Sequence, residues 1–225
     1  MAGIWIITIV FMLASWLVGW RLKSKFKQYS EIAFRGNLTG AEVAAKMLAD
    51  NDINDVKIVS VEGQLTDHYN PVEKTVNLSP EVYSGRSVAA AAVAAHECGH
   101  AVQHARAYMW LGMRSKLVPV VSVTSRYMQW ILLAGILTIQ IFPYLLLAGI
   151  ILFALTTIFS FVTLPVEFDA SNRALAWLDT SGITSSQEHE MAKDALKWAA
   201  MTYVVAALSS LATLLYYISI FMRRR

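Results

Sequence analysis

Long apolar runs separated by polar segments dominate the chain. Residues 4–20 contain no charged side chain, and residues 127–166 contain no Asp, Glu, Lys or Arg over forty positions. One membrane crossing needs only about twenty apolar residues, so the second run is long enough for two helices, and Pro143 near its middle predicts the turn between them. A last run covers roughly residues 201–221. The pattern predicts four membrane-spanning helices, the first of them retained, because no basic segment precedes it as in a signal peptide.

The polar segments between these runs predict a small α/β part. LTGAEVAAKMLADN begins with Thr39 and Glu42 three residues apart, the spacing of a capping box at the start of a helix. VKIVSVEG and KTVNLS are predicted as short strands, LTDHYNP between them as turns, and a long helix begins at Ser87. The predicted organisation is a transmembrane helix at 1–22, an α/β part at 23–116 with its long helix at about 87–110, a transmembrane hairpin of two helices at 117–164, two further helices at 165–200, and a last transmembrane helix with a basic tail at 201–225.

Composition agrees with a membrane protein and excludes other classes. Hydrophobic residues make up 56% of the chain and charged residues only 16%, fewer charges than a soluble domain of this size carries. The net charge of +3 is slight, and no basic patch with interleaved aromatic residues indicates a nucleic-acid partner. Cys98 is the single cysteine of the sequence, so an intrachain disulfide is excluded.

The distribution of positive charge predicts the orientation in the membrane. Four spans place residues 21–116 and 166–198 on the same side of the bilayer. The basic run RLKSKFK directly follows the first span, and three further basic residues precede the hairpin. By the positive-inside rule both segments are cytoplasmic, although the three terminal arginines favour the opposite orientation.

The stretch VAAHECGHAVQHA in the long helix carries the clearest chemical signal. His96 and His100 lie four residues apart, so their imidazoles project from one helix face and can share a metal ion, with Glu97 beside them. This is the H-E-x-x-H arrangement of zinc-dependent peptidases, in which zinc lowers the pKa of a bound water and the glutamate takes its proton. The alternative is a solvent-facing polar stripe on an Ala-rich helix. His104 continues the stripe and is interpreted as a supporting or surface residue, and Cys98 as a packing residue.

A catalytic zinc site also needs a third protein ligand and one open position. Glu167 is favoured, because it stands where the hairpin returns to water, at the expected start of a helix after Pro165. Asp169 is the second choice, since in a helix it points to a different face. The residues leave Asp67, His68 and His189 open as further candidates.

Four motifs in order, over about residues 30 to 210, resemble one family. LTDHYNP, the SVAAAAVAAHECGHAVQHA helix with its preceding NLS and EVY, LPVEFDASNRA and AAMTYVVAAL are similar to the YugP-type neutral zinc metallopeptidases of bacteria and archaea. More distantly they resemble the HtpX-type and CAAX-processing membrane proteases. The resemblance implies a mainly α integral membrane protein of the bacterial or archaeal cell membrane, with about four transmembrane helices and a small α/β zincin-like (gluzincin-type) catalytic domain.

The resemblance also implies roles for individual residues. His96, His100 and Glu167 are then the ligands of one zinc ion per chain, and Glu97 is the general base. Ser171 departs from the distant relatives, which carry Asp there, so the aspartate that would orient a ligand histidine is missing and Asp169 is the candidate to replace it.

The function expected from these features is hydrolysis of peptide bonds by a membrane-embedded zinc endopeptidase. Its partners would be the lipid bilayer and a peptide or membrane-protein substrate, and its role would be membrane protein quality control. The strand KTVNLS could pair with an extended substrate. Two rival functions remain, a zinc-binding membrane scaffold without turnover and a small transporter in which Arg126 and the histidines line a path. Candidates for stabilising the oxyanion of the transition state are Tyr69, Arg173, His189 and Tyr203.

Overall fold

The computed structural model describes residues 2–63 and 66–223, which form a mainly helical protein with one small sheet. The chain separates into two compact units. The membrane unit comprises Met1–Leu17, Gly112–Pro165 and Thr202–Arg225, and the polar unit comprises Val18–Leu111 and Val166–Met201. The elements in chain order are α1 (Ala2–Ser30), α2 (Gly40–Asp50), β1 (Lys57–Ser60), β2 (His68–Asn70), β3 (Thr75–Leu78), α3 (Pro80–Tyr83), α4 (Val88–Ala105), α5 (Met109–Leu137), α6 (Pro143–Thr180) and α7 (Ser186–Met222).

Four helices of the described chain are long and apolar enough to cross a bilayer. The chain turns between α5 and α6, and Pro143 opens α6 at a position where its missing N–H costs no hydrogen bond. Gly135 of α5 allows a close approach to α6, since a Cβ there would lie 2.5 Å from the Cα of Leu146. The prediction of four helices that could span a membrane, two of them in a tight hairpin, is therefore confirmed. The candidate spans are Gly3–Ser30, Met109–Leu137, Pro143–Thr180 and Ser186–Met222.

Two predicted helix boundaries are wrong. The α6 helix continues from Pro143 to Thr180, so no new helix begins after Pro165, which lies inside it. A long helix loses one hydrogen bond at an internal proline and keeps the turns on either side, and helices in membranes tolerate this. The α5 helix begins at Met109, ahead of the predicted start at residue 117, because the Leu, Met, Arg and Lys of the intervening segment are good helix formers. Of the basic tail, Arg224 and Arg225 lie outside the described residues.

The sheet of the polar unit has the order β1-β3-β2, with β3 parallel to β1 and antiparallel to β2. The strands β1 and β3 lie in the two stretches predicted as strands, so this prediction is confirmed. The segment predicted as turns is wrong in its centre, where β2 pairs Tyr69 with Val76. A strand of three residues is too short to show an alternation of apolar and polar positions. Leu65, the first residue of that predicted turn segment, lies outside the described residues.

Capping interactions set the starts of the polar unit's helices. The predicted capping box of α2 is confirmed, because Thr39 and Glu42 bond each other's backbone N–H groups at 3.2 and 2.7 Å. Ser87 caps α4 by accepting from the Ala90 backbone N–H at 3.2 Å. Glu188 is part of the same kind of box at the start of α7, where it accepts from the backbone N–H of Ser185 at 2.7 Å.

Side chains of the polar unit also join α1 to α7. The Tyr29 hydroxyl donates to the Asp194 carboxylate at 2.7 Å, and the Lys25 ammonium lies 2.9 Å from the same carboxylate. Tyr29 is buried in the main hydrophobic core, which also includes Met47 of α2 and Ala95 of α4. The α4 helix, which carries the histidines, is thereby held inside protein along most of its length.

Candidate metal centre

The site is built where α4 packs directly on α6. Gly99, between the two histidines of α4, is the closest point, because a Cβ added there would lie 2.5 Å from the Ala170 carbonyl oxygen. Real Cβ atoms do not approach an oxygen this closely, so only glycine permits the helices to meet at this distance. The contact sets His96 and His100 against the turn of α6 that carries Glu167.

Three potential ligand atoms converge at this contact. The Nε2 atom of His96 lies 3.4 Å, and that of His100 3.7 Å, from the Oε2 atom of Glu167. The three atoms lie within 4.8 Å of one another, and His100 and Glu167 are buried. Ligand atoms about 2.1 Å from a tetrahedral zinc ion are about 3.4 Å apart, so the spacing fits a shared zinc ion.

The other ring nitrogen of each histidine has a partner of its own. His96 Nδ1 lies 3.1 Å from the Ser171 hydroxyl, and His100 Nδ1 lies 3.0 Å from the Gln103 side-chain oxygen. The Nε2 atoms of both rings are thereby left to face the Glu167 carboxylate. If each Nδ1 carries the ring proton, both Nε2 lone pairs point at a carboxylate, and a cation between them would make that arrangement favourable.

Glu97 lies beside these potential ligands and is buried. Burial raises the pKa of its carboxyl group to about 7, although the nearby His96 lowers it, while the negative charges of Glu167 and Asp67 raise it further. The backbone N–H of Tyr69 in β2 donates a hydrogen bond to this carboxylate and favours its ionised form. A carboxyl group with a pKa near neutrality can both accept and return a proton.

Asp169, the second choice for the third ligand, does not join the cluster. Its carboxylate accepts from the Arg173 guanidinium at 2.6 Å and from the Gln103 side-chain amide at 2.7 Å. In the described residues, the group of ligand atoms close enough to share a metal ion is His96, His100 and Glu167, without Asp67, His68 or His189. Asp67 instead accepts from Ser79, and His68 contacts the Thr66 carbonyl oxygen.

The candidates for an oxyanion donor have separate surroundings. Arg173 is held by Asp169 and lies over the Tyr108 ring at 5.7 Å. The hydroxyl of Tyr69 contacts His104 Nδ1 at 2.8 Å, and burial raises the pKa of Tyr69 to about 12, so it remains a hydrogen-bond donor at neutral pH. The Nδ1 atom of His189 is buried without a hydrogen-bond partner in the described chain. Tyr203 belongs to the membrane unit, and its role stays a prediction.

The sequence does not predict the contacts that two residues, Gln103 and Ser171, make at this site. Gln103 received no role, although it stands three residues after His100 and therefore on the same helix face. Ser171 was interpreted as the loss of an orienting aspartate, yet its hydroxyl contacts His96. The spacing of Gln103 was a usable signal, whereas the reach of Ser171 depends on how closely the two helices pack.

An open cavity of about 560 Å³ lies within the polar unit, against the C-terminal part of α1, α3 and the first turn of α4. Asp67, whose charge acts on Glu97, is part of its wall, together with Lys23 and Lys27 of α1 and Ala90 of α4. The cavity is large enough to accept several side chains of a peptide.

Two comparisons with known proteins each match nearly the whole chain, and both matches are described as a peptidase or a protease. A family model described as "Putative neutral zinc metallopeptidase" matches residues 4–222. A protein of Bacillus subtilis (strain 168) described as "Putative membrane protease YugP" is 41% identical over 219 residues, which are 97% of this chain and 96% of the relative. No solved structure matches the chain at a significant level. The matches cover both the membrane unit and the polar unit.

Proposed function

The chain belongs to the neutral zinc metallopeptidase family that its motifs predicted, and from this premise we propose that it is a membrane-bound zinc-dependent endopeptidase. One zinc ion per chain is held by His96, His100 and Glu167, and Glu97 is the general base. The observation that carries the proposal is the convergence of two imidazole nitrogens on one buried carboxylate, at distances that fit zinc. A histidine pair on one helix and a glutamate ligand on a later helix also support a zincin-like, gluzincin-type polar unit.

The residues around the site support hydrolysis by an activated water. Zinc, when bound, lowers the pKa of a coordinated water and polarises the scissile carbonyl group. Glu97 takes one proton from the attacking water as the water oxygen bonds to the carbonyl carbon. Glu97 then passes that proton to the amide nitrogen as the carbon–nitrogen bond breaks, so that the products are a carboxylic acid and an amine, and transfer of the second water proton from the acid to the amine gives a carboxylate and an ammonium group.

The substrate would lie along β2 rather than β3. The sequence favoured KTVNLS as the pairing strand, which is wrong, because β3 has a neighbouring strand on each side. Among the three described strands, β1 and β2 are both edges of the sheet, and β2 is the edge whose Tyr69 backbone N–H reaches Glu97. An extended peptide added to this edge would pass the general base.

We further propose that the substrates are peptides and membrane proteins in the bilayer, and that the protein acts in membrane protein quality control. We also propose that the polar unit faces the cytoplasm. Four candidate spans and the basic run after the first of them support this orientation. A cysteine at the exposed Glu73 of a Cys98→Ala variant should resist a membrane-impermeant maleimide in intact cells. Rapid labelling of this cysteine would indicate the opposite orientation, with the polar unit outside the cytoplasm.

The test of the general base compares wild type with Glu97→Gln, purified in detergent. The variant should retain zinc and lose about 10²- to 10⁴-fold in the rate of peptide cleavage, because amide cannot accept the proton. Glu190→Gln, at an exposed glutamate that pairs with Lys193, is the matched control and should retain activity. Equal cleavage by Glu97→Gln and wild type would remove this role, and cleavage by neither would favour a zinc-binding scaffold.

The test of the third ligand is zinc content by elemental analysis. Wild type should contain close to one zinc per chain, and Glu167→Ala clearly less, because two histidines alone hold zinc weakly. Full zinc in Glu167→Ala would move the third ligand to another residue. The absence of zinc from wild type would overturn the proposed function.

A further inference from the structure

Gln103 is a polar side chain at the centre of the contact between α4 and α6. It is fully buried. Its side-chain nitrogen lies 2.8 Å from the Val166 carbonyl oxygen and 2.7 Å from the Asp169 carboxylate, both on α6, and its oxygen lies 3.0 Å from His100 Nδ1 on α4. The nitrogen of this amide thus contacts two groups and its oxygen a third.

The orientation of the amide follows from the chemistry of these partners. A carbonyl oxygen and an ionised carboxylate can only accept hydrogen bonds, so the group facing Val166 and Asp169 must be the NH₂ of Gln103. The Arg173 guanidinium donates to the same carboxylate at 2.6 Å and holds Asp169 in place. The oxygen of Gln103 therefore faces His100.

This orientation determines which nitrogen of His100 carries the proton. An amide oxygen accepts a hydrogen bond, so His100 Nδ1 must be the protonated nitrogen. In the neutral ring Nε2 then has a free lone pair, and it is the nitrogen 3.7 Å from Glu167. Without Gln103 the ring could rotate or place its proton on Nε2, and either change would remove the ligand.

We propose that Gln103 is a positioning residue that presents His100 to zinc in the binding tautomer and ties this ligand to the helix that carries Glu167. The inference rests on the proposed function, since it concerns the same site. Arg173, Asp169, Gln103 and His100 form one chain of hydrogen bonds, so Asp169 orients a ligand histidine through Gln103 rather than by contact. Ser171 contacts the other ligand histidine, His96, directly through its hydroxyl group.

The first experiment replaces Gln103 with methionine, which is similar in length but forms no strong hydrogen bond. Zinc affinity, measured by competition with a chromophoric chelator, should fall about 10- to 100-fold, as is usual when the partner of a ligand histidine is removed. Cobalt(II) in place of zinc should show an altered visible absorption spectrum, because His100 is no longer held in one orientation.

Tyr29→Phe is the matched control for a purely structural effect. It removes another hydrogen bond between helices of the polar unit, from Tyr29 to Asp194, neither of which belongs to the proposed zinc site. It should lower the unfolding temperature without changing zinc affinity or the cobalt spectrum. Equal weakening of zinc binding in Tyr29→Phe and Gln103→Met, or unchanged binding in Gln103→Met, would overturn the inference.

A double variant keeps the inference testable even if Gln103→Met does not fold. Gln103→Glu with Asp169→Asn reverses the polarity of one bond, so that Asn at 169 donates to the carboxylate at 103, which still accepts from His100. The double variant should bind zinc more tightly than Gln103→Glu alone, where two carboxylates face each other. Binding no tighter in the double variant would count against the positioning role.

The two proposals fail in different ways. If wild type binds no zinc, both the proposed function and the inference are overturned. If wild type binds zinc and Glu97→Gln is inactive, but Gln103→Met binds zinc as tightly as wild type, only the role of Gln103 is removed.

Discussion

The helices α4 and α5 follow each other in the chain and are equally apolar on average, yet they have opposite surroundings. Most residues of α4 are buried in protein, whereas only 11% of the candidate membrane span in α5 is buried. The difference lies in residue size, since α4 is made largely of Ala and Gly and α5 of larger residues such as Leu, Val and Trp. Small residues allow close helix contacts, while large apolar side chains cover the surface that lipid contacts.

The contrast has an energetic consequence. Inside protein each methylene is packed at crystal-like density, so a change of volume is costly. A side chain that faces lipid has an adaptable neighbour, and a change of its volume is nearly neutral. The same substitution should therefore have very different effects in the two surroundings.

The largest difference is expected for methionine to alanine. Met47 of α2 is 1% exposed in the core against which α4 packs, whereas Met109, in the first turn of α5 that still belongs to the polar unit, is 68% exposed. Met47→Ala should lower the free energy of unfolding by about 2–5 kcal/mol through the cavity it leaves. Met109→Ala should change it by less than about 0.5 kcal/mol. Denaturant unfolding of the polar unit, followed by near-UV circular dichroism, measures both, and similar losses would contradict the contrast.

A second pair compares glycines. Gly99→Ala places a Cβ against the Ala170 carbonyl oxygen and should cost about 1–3 kcal/mol, with weaker zinc binding because the ligand helices move apart. Gly112 of α5 has no atom within 4 Å of an added Cβ, so Gly112→Ala should be neutral or stabilising by about 0.5–1 kcal/mol. Thermal unfolding and zinc content measure the two effects. Full zinc in Gly99→Ala would show that the close approach is not needed.

These contacts explain which parts of the site the sequence could predict. The pairing of His96 with His100 depends only on helix periodicity, and Glu167 was favoured because the hairpin brings the chain back. The tie between Ser171 and His96 depends on the distance between two helices, which a local pattern does not contain. Gln103 had the right spacing, but its partners Val166 and Asp169 lie more than sixty residues away.

The fold shows the same division between local and distant information. Caps such as Thr39 with Glu42, the hairpin at Pro143 and the strand β3 were predictable because each is a pattern of a few neighbouring residues. The strand β2 exists only through its pairing with β3, and Pro165 interrupts a sequence pattern without interrupting the helix. Where tertiary contacts decide, propensity is a weak guide.

A third pair compares two serines of α6. Ser171→Ala removes the partner of His96 Nδ1 and should weaken zinc binding by about 1 kcal/mol, or about fivefold. Ser160, in the membrane unit, donates a hydrogen bond to the Thr156 carbonyl oxygen of its own helix, so Ser160→Ala should leave zinc binding unchanged. Chelator competition measures both. Equal affinity in wild type and Ser171→Ala would mean that Ser171 does not orient the histidine.

The smallest effect concerns the reactivity of thiols. Cys98 is buried, its thiol lies 3.6 Å from the Ala44 carbonyl oxygen, and burial raises the pKa of the thiol well above its usual value. The folded protein therefore holds the neutral thiol, which should resist iodoacetamide at pH 8 and react fully in denaturant.

The raised pKa of Cys98 also affects stability. The free energy of unfolding falls as the pH rises above about 9, because the thiol loses its proton in the unfolded chain but keeps it in the folded protein.

The matching thiol belongs at the exposed start of α5. Ser115→Cys in a Cys98→Ala background places a thiol between Arg114 and Lys116, whose positive charges favour the thiolate. It should react with iodoacetamide at pH 8 within minutes, while Cys98 of wild type remains unmodified. Mass spectrometry of intact protein counts the adducts. Equal rates at the two positions would show that α4 opens readily to solvent, and the contrast between the two helices would then not extend to their dynamics.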